Sequence, residues 1–292
     1  MTFEKLVQNL SKLREVNLNG VNMSLVAPSS LMNLSSSLAS LKLEYCGLQG
    51  KILDNVFQQP NLQLLDLLGN EGLNGSLPRH NWNNSLQSLS LSRTKIQIHL
   101  EHDFISNLKS VETLDLSACN FEGSNLELFD KLTQLIELRL SHNNFSGQIP
   151  SSLENLKKLL ELDLFHNNFN DLGNNRIDGT CPHFLETLPE LQVLVLQSNE
   201  LHGMVKGSST NYSFSKLQIF DLSNNMLSGP LPAEYFNNFK AMMNVDVKMK
   251  YMGSPNYNYD YSASLTLKGL KIELVKIQTL LTTIDLSRNK LR

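Results

Sequence analysis

Two histidines of this chain, 24 positions apart, follow carboxylates, His142 five residues after Glu137 and His166 three residues after Asp163. Imidazole beside carboxylate is the material of an acid–base pair or, with further donors, of a divalent-metal site. The other reactive side chains are the three cysteines, Cys46, Cys119 and Cys181. Their spacing matches no zinc ligand set, and an odd number cannot pair fully within one chain. A repeating chain generates such a His/carboxylate grouping passively, whenever two successive copies carry polar residues at one position. The expectation is therefore a non-enzyme with no catalytic residue, metal or cofactor, whose function lies in the frame that carries these side chains.

That frame is L-x-x-L-x-L-x-x-N-x-L. Clean copies are Leu135-x-x-Leu138-x-Leu140-x-x-Asn143-x-Phe145, Leu191-x-x-Leu194-x-Leu196-x-x-Asn199-x-Leu201 and Leu217-x-x-Phe220-x-Leu222-x-x-Asn225-x-Leu227. At its asparagine position stand Val21, Cys46, Asn70, Thr94, Cys119, Asn143 and Asn167, spaced 25, 24, 24, 25, 24 and 24 residues apart. Chance clustering does not hold so tight a period. The L-x-L core predicts a short strand with its leucines facing inward. The Asn amide turns in to satisfy backbone groups unpaired at the bend, and Cys46, Thr94 and Cys119 are small enough to replace it. No coil buries its apolar side alone, so stacked neighbours supply the core and their strands form one parallel sheet.

Most copies continue L-x-G-x-I/L-P, as in Leu73-x-Gly75-x-Leu77-Pro78, Phe145-x-Gly147-x-Ile149-Pro150 and Leu227-x-Gly229-x-Leu231-Pro232. Segments such as Ser151–Leu156 then cross the far side as a helical or 3₁₀ turn. The combined pattern resembles the plant-type extracellular leucine-rich repeat over nearly the whole chain. That class covers plant receptor kinases, receptor-like proteins without a kinase, and polygalacturonase inhibitors. The resemblance implies a leucine-rich-repeat solenoid, with a curved parallel β-sheet on its concave side and short 3₁₀ or helical turns on its convex side.

The period fails twice, which divides the chain into repeats over 1–232, a non-repeat island over 233–278 and resumed, truncated repeats over 279–292. Near 167–175 the spacing from Asn167 to Asn175 is 8 residues, and it returns to 24 at Asn199. Either two half-coils are fused, with about 16 residues missing, or the stack is distorted. The island separates Asn225 from Asn289 by 64 residues and is rich in tyrosine and methionine. Within it, Ser264–Lys268 and Lys271–Leu274 alternate like strands.

The island sharpens the resemblance. The run Glu234-Tyr235-Phe236-Asn237-Asn238-Phe239-Lys240-Ala241-Met242-Met243, then Lys268-Gly269-Leu270 and Ile284-Asp285-Leu286-Ser287-Arg288-Asn289-Lys290, resembles the island of plant receptor-like proteins of the tomato Cf/Ve disease-resistance type. In that family further repeats, one membrane helix and a short tail follow. The likeness implies an ectodomain fragment of a plasma-membrane protein that faces outward, binds a protein or peptide ligand and signals, usually in defence, through partner receptor-like kinases. The alternatives are a soluble protein like the polygalacturonase inhibitors, which lack an island, and a truncated, non-functional product.

The net charge of −3 offers no general attraction to nucleic acid or anionic membrane. No stretch approaches the roughly 18 apolar residues of a membrane span, and no apolar leader follows Met1–Lys5, so a membrane link would run through a missing C-terminal helix. Seven N-x-S/T sequons, at Asn9, Asn22, Asn33, Asn74, Asn83, Asn144 and Asn211, fit a glycosylated extracellular chain.

Candidate ligand contacts are residues that the repeat does not require and that should point to solvent from the concave sheet: Tyr45, Arg93, Arg139, His142, Phe165 and His166. The island offers Tyr251, Tyr257, Tyr259 and Tyr261, since tyrosine gives contact area at low entropic cost. Asp66, Asp115, Asp163, Asp221 and Asp285 share one repeat position and read as consensus.

Overall fold

The computed structural model describes residues 10–79, 82, 86–98, 100–123, 126–170, 182–205, 213–231, 233–243, 253–254, 259–260, 263–267, 270–274, 277–278 and 280–292. The chain divides into two compact units, Met1–Phe145 and Ser146–Arg292.

The first unit is a stack of coils, each contributing a three-residue strand: β1 (Glu15–Asn17), β2 (Ser40–Lys42), β3 (Leu64–Asp66), β4 (Ser88–Ser90), β5 (Thr113–Asp115) and β6 (Glu137–Arg139). They pair in parallel in chain order, with the leucines in register, as Leu41 with Leu65 and Leu65 with Leu89. A second parallel ladder follows the Asn turn, joining Gln49–Lys51, Gly72–Ser76 and Lys95–Gln97. Short 3₁₀ segments (Pro28–Asn33, Asp54–Val56, Leu126–Lys131) and the helix His102–Asn107 cross the opposite side. Leu31, Val56, Phe104 and Phe129 anchor them in the core. This is the leucine-rich-repeat architecture that the period predicts.

The second unit has β7 (Glu161–Asp163), β8 (Val193–Val195), β9 (Ile219–Asp221) and β10 (Thr283–Asp285), again parallel and in chain order. The strands on either side of each irregular stretch pair directly. Leu162 pairs directly with Leu194, 32 residues on, so β7 and β8 are immediate neighbours in the sheet. Asn199 takes the ladder role, donating to the Leu164 carbonyl at 2.9 Å and accepting from the Phe169 N–H at 3.2 Å. Asn175 and Cys181 lie outside the described residues. Phe220 pairs with Ile284, 64 residues on, so the sheet continues across the island.

At the start of the island, helices Ala233–Phe236 and Lys240–Met243 bring buried Phe239 against Phe220 (ring centroids 5.5 Å) and Phe214 (6.3 Å). Further on, Ala263–Leu267 and Leu270–Leu274 form an antiparallel hairpin, and Gly253–Ser254 pairs antiparallel with Tyr259–Asp260.

The buried amides behave as the bend demands. Asn70 donates to the carbonyls of Leu43 in the preceding coil and Leu67 in its own, and accepts from the Leu48 N–H. Asn143 and Asn225 repeat the pattern. Cys46 and Cys119 keep half of it, each directing its thiol to a carbonyl of the preceding coil, Leu18 and Leu91, at 3.1 Å.

Candidate ligand-binding surface

The sheet face opposite the leucines is built in columns, because strand pairing sets equivalent residues of successive coils side by side. In the first unit the central column runs Asn17, Lys42, Asp66, Ser90, Asp115 and Arg139. The consensus aspartates close a local turn. In each, Oδ1 accepts the backbone N–H two residues on, from Leu68 to Asp66 (3.0 Å) and from Ser117 to Asp115 (2.9 Å). Asp163, Asp221 and Asp285 do the same in the second unit. Turn closure accounts for their shared position.

One residue before each ladder position the backbone is left-handed. Tyr45, Arg93, Ala118 and His142 in the first unit, and His166, Ser198, Asn224 and Arg288 in the second, have φ between 51° and 56°. Gly20 and Gly69 hold the same place. A non-glycine residue there is strained, and stays so only where its surroundings fix it. Here the fixing bond is visible: the residue's N–H donates to the next coil, as from Tyr45 to the Leu68 carbonyl (2.8 Å), Arg93 to Ser117 (3.0 Å) and His166 to Gln197 (3.0 Å). Four of the six candidate contacts, Tyr45, Arg93, His142 and His166, stand in this column. Tyr45, Arg93 and His166 are exposed and His142 is half-buried.

The other two differ from the solvent-facing placement expected of them. Arg139 is only 5% exposed and its guanidinium meets the Glu137 carboxylate at 3.1 Å. Phe165 is 7% exposed and packs with Val193, Val195, Ile219 and Ile277. Val193, Val195 and Ile219 occupy outward positions of β8 and β9, so this part of the second unit's sheet face is apolar and needs a cover. Ile277, the residue at which the island returns to the repeats, supplies part of it and is fully buried. The signal in the sequence was Val195 in the column that carries Lys42, Asp66 and Ser90 in the first unit, with Val193 and Ile219 in the column that carries Ser40, Ser88, Glu137 and Glu161.

Electrostatics follow burial. Desolvation pushes the Asp221 carboxyl up to about 6, against the hydrogen bonds from Ser223; Asp285 on the next strand adds repulsion. Burial likewise raises Asp115, opposed by the Arg139 guanidinium. It pushes the Cys119 thiol up to about 12 and raises Cys46.

Glu137, near His142, is engaged by Arg139, and Oδ1 of Asp163, near His166, by the backbone of Phe165. Among the described residues, no group of three or more His, Cys, Asp or Glu is placed to hold a metal ion, and no helix is long and apolar enough to cross a membrane. Of the sequons, Asn22, Asn33, Asn74 and Asn144 are exposed, whereas Asn9, Asn83 and Asn211 lie outside the described residues. So do Tyr251, Tyr257 and Tyr261; Tyr259 belongs to the short strand Tyr259–Asp260.

Known proteins carry the same pattern. Leucine rich repeat families match residues 109–169 and 216–238. Receptor-like protein 35 of Arabidopsis thaliana is 34% identical over 330 residues, covering 95% of this chain and 34% of its own length. Receptor-like protein 53 of the same plant is 33% identical, over 96% of the chain and 33% of its length. The chain thus spans about a third of these two relatives. Among solved structures, a plant peptide hormone receptor, RGFR1 in complex with RGF2, superimposes with a TM-score of 0.60 at 27% identity, covering 79% of this chain and 39% of that one. The leucine-rich-repeat ectodomain of the Arabidopsis receptor kinase GASSHO1/SCHENGEN3, at 23% identity and a TM-score of 0.58, shares the fold, over 99% of this chain and 34% of that one.

Proposed function

The chain is a leucine-rich-repeat protein homologous to Arabidopsis receptor-like proteins, and on that premise we propose that it is ligand-binding ectodomain from a plant cell-surface receptor of this kind. Its ligand is a peptide or protein, and its output, in defence, runs through partner receptor kinases. The Cf/Ve type is the member that the island favours. The parent protein sits in the plasma membrane with these repeats outside, glycosylated at the exposed Asn22, Asn33, Asn74 and Asn144 and at the remaining sequons. The repeats occupy 1–232 and 279–292, on either side of the island at 233–278.

The observation that carries this reading is the contrast between the two sides of each strand. From β2 to β6 the inward position stays leucine (Leu41, Leu65, Leu89, Leu114, Leu138), whereas outward ones change from coil to coil, through Lys42, Asp66, Ser90, Asp115 and Arg139 in one column and Tyr45, Gly69 and Arg93 in another. A common frame with a varied face is how a repeat protein recognises one partner among many. The peptide-hormone receptor RGFR1 bears a fold of the same kind.

The test is binding. The chain is presented to a panel of secreted plant and microbial peptides, with Tyr45→Ala and Arg93→Ala variants alongside. We expect a binder whose affinity falls about tenfold or more in either variant, the loss of an interface anchor. Binders that all ignore both changes sink the assignment of this face.

A further inference from the structure

We propose that a recess on the flank of the second unit binds a short extended peptide segment with a basic group at one end and an acidic group at the other. It rests on the peptide-ligand reading above and adds a contact with a defined charge pattern, away from the sheet face.

The recess measures about 420 Å³, within the range of sites that take small ligands. It opens where the ladder that follows the Asn turn is broken. Asn168–Phe169 pairs with Ser146–Gly147, but His202–Met204 starts a separate ladder that continues through Met226–Gly229 to Lys290–Leu291. Across the break, the Glu200 N–H donates to the Phe169 carbonyl at 2.9 Å. The lining comes in pairs: Asn170 and Glu200 at the break, His202 beside Met226, and Ser228 beside Lys290. Gly203, at φ 81°, brings no side chain into it.

The charged groups are uncommitted. Among the described residues, the Glu200 carboxylate, the His202 imidazole and the Lys290 ammonium have no hydrogen-bond or ion-pair partner, and Glu200 and Lys290 are exposed. Glu200 and Lys290 stand two coils apart, about 10 Å across the stack, too far to neutralise each other. A ligand of one sign alone meets attraction at one end and repulsion at the other. Between them Met226, 45% exposed, offers an adaptable apolar surface, and the His202 imidazole can donate or accept. An extended peptide rises about 3.3 Å per residue, so about three residues span the two charges. The fitting segment sets a basic side chain against Glu200, an apolar one on Met226 and an acidic one against Lys290.

The experiment adds N-acetyl-Lys-Leu-Glu-amide, the dipolar probe, to the intact chain and follows it by saturation-transfer NMR. The Glu-Leu-Glu and Lys-Leu-Lys peptides with the same caps serve as controls. Glu200→Lys and Lys290→Glu are run beside the unaltered chain, and unchanged melting checks that the coils stand. We expect the dipolar probe to bind about tenfold tighter than either control, and each substitution to cost it about tenfold. Glu200→Lys should in turn favour the doubly acidic peptide and Lys290→Glu the doubly basic one, an exchange that no general weakening of the fold produces. No binding of the dipolar probe, equal binding of all three peptides, or binding that neither substitution changes overturns the recess as a site. If panel peptides depend on Tyr45 or Arg93 while the dipolar probe fails, the recess falls and the sheet-face assignment stands. If the probes follow the charge exchange while all panel binders ignore Tyr45 and Arg93, the recess stands and the sheet-face assignment falls.

Discussion

The ring of Tyr45 lies over Gly69, filling the space where a side chain at position 69 would begin. Both residues are in the left-handed column, at φ 51° and 74°, one coil apart. Tyr45 can lay its ring along the column because its neighbour is bare, and it remains 52% exposed.

A methyl group at position 69 should therefore be felt twice, as backbone strain and as a clash. We expect Gly69→Ala to cost about 2–3 kcal/mol in chemical denaturation, of which about 1 kcal/mol is the left-handed strain. In a Tyr45→Ala background only the strain remains, so the two changes should couple by about 1 kcal/mol or more in a double-mutant cycle. Strict additivity would mean that the ring swings away freely.

Cys119 satisfies less of the bend than asparagine does. Its thiol reaches the Leu91 carbonyl, while Asn143 in the next coil both donates and accepts, taking the N–H groups of Cys119 and Phe121. We expect Cys119→Asn to raise stability by about 1 kcal/mol and Asn143→Cys to lower it by about 2–3 kcal/mol, measured by urea unfolding. The thiol itself should be inert: with its pKa near 12, the thiolate fraction at pH 8 is only about 10⁻⁴. Mass mapping after brief iodoacetamide treatment should find Cys119 unmodified unless the chain is first unfolded.

How far the sequence foretold these features depends on what each one rests on. The ladder was legible because its requirement is a residue type, a small polar group at a 24-residue period. The left-handed column was not, since Tyr45, Arg93 and His166 are held there by bonds from their own N–H groups to the next coil, which any residue can make. Only Gly20 and Gly69 hinted at it. Asn199 joins Asn167 in bonding the Leu164 carbonyl, and because β7 pairs with β8 this reaches 35 residues along the chain, a partner that a 24-residue period does not name. Phe165 misled for a related reason. Its position faces away from the leucines, but its partner Ile277 lies more than a hundred residues along the chain, beyond the reach of any periodic argument.

Asp221 gives stability a pH dependence opposite to that of an ordinary salt-bridged carboxylate. Its pKa rises from 3.8 to about 6 on folding, chiefly through desolvation. The folded state then binds more protons than the unfolded state between those values, so stability falls as pH rises through this window. The full penalty applies above pH 6 and disappears below about pH 4. Asp221→Asn keeps an acceptor for the Ser223 N–H and removes the charge. We expect it to stabilise the chain by about 2 kcal/mol at pH 7.5, with the gain shrinking as pH drops from 6 to 4. A gain independent of pH would place the cause in packing.

Ile277 ties the end of the island to the sheet face, and truncating it tests how strongly. The side chain is fully buried against Phe165, Val193, Val195 and Ile219, with Leu160 and Leu281 at the margin. Ile→Ala at such a site removes about 2–5 kcal/mol of packing. The strands beneath keep their backbone ladders and inward leucines, so the loss should fall on the attachment more than on the coils. We expect Ile277→Ala to speed proteolytic cleavage within 244–276 by about tenfold or more and to raise binding of a hydrophobic dye to the uncovered face. Hydrogen exchange in β8 and β9 should stay slow. Val193→Ala should loosen the island in the same sense from the opposite side of the contact. Cleavage unchanged in both variants would mean that the helices around Phe239 hold the island without Ile277. Rapid exchange across β8 and β9 would make Ile277 part of the coil core, with no separate role as a tether.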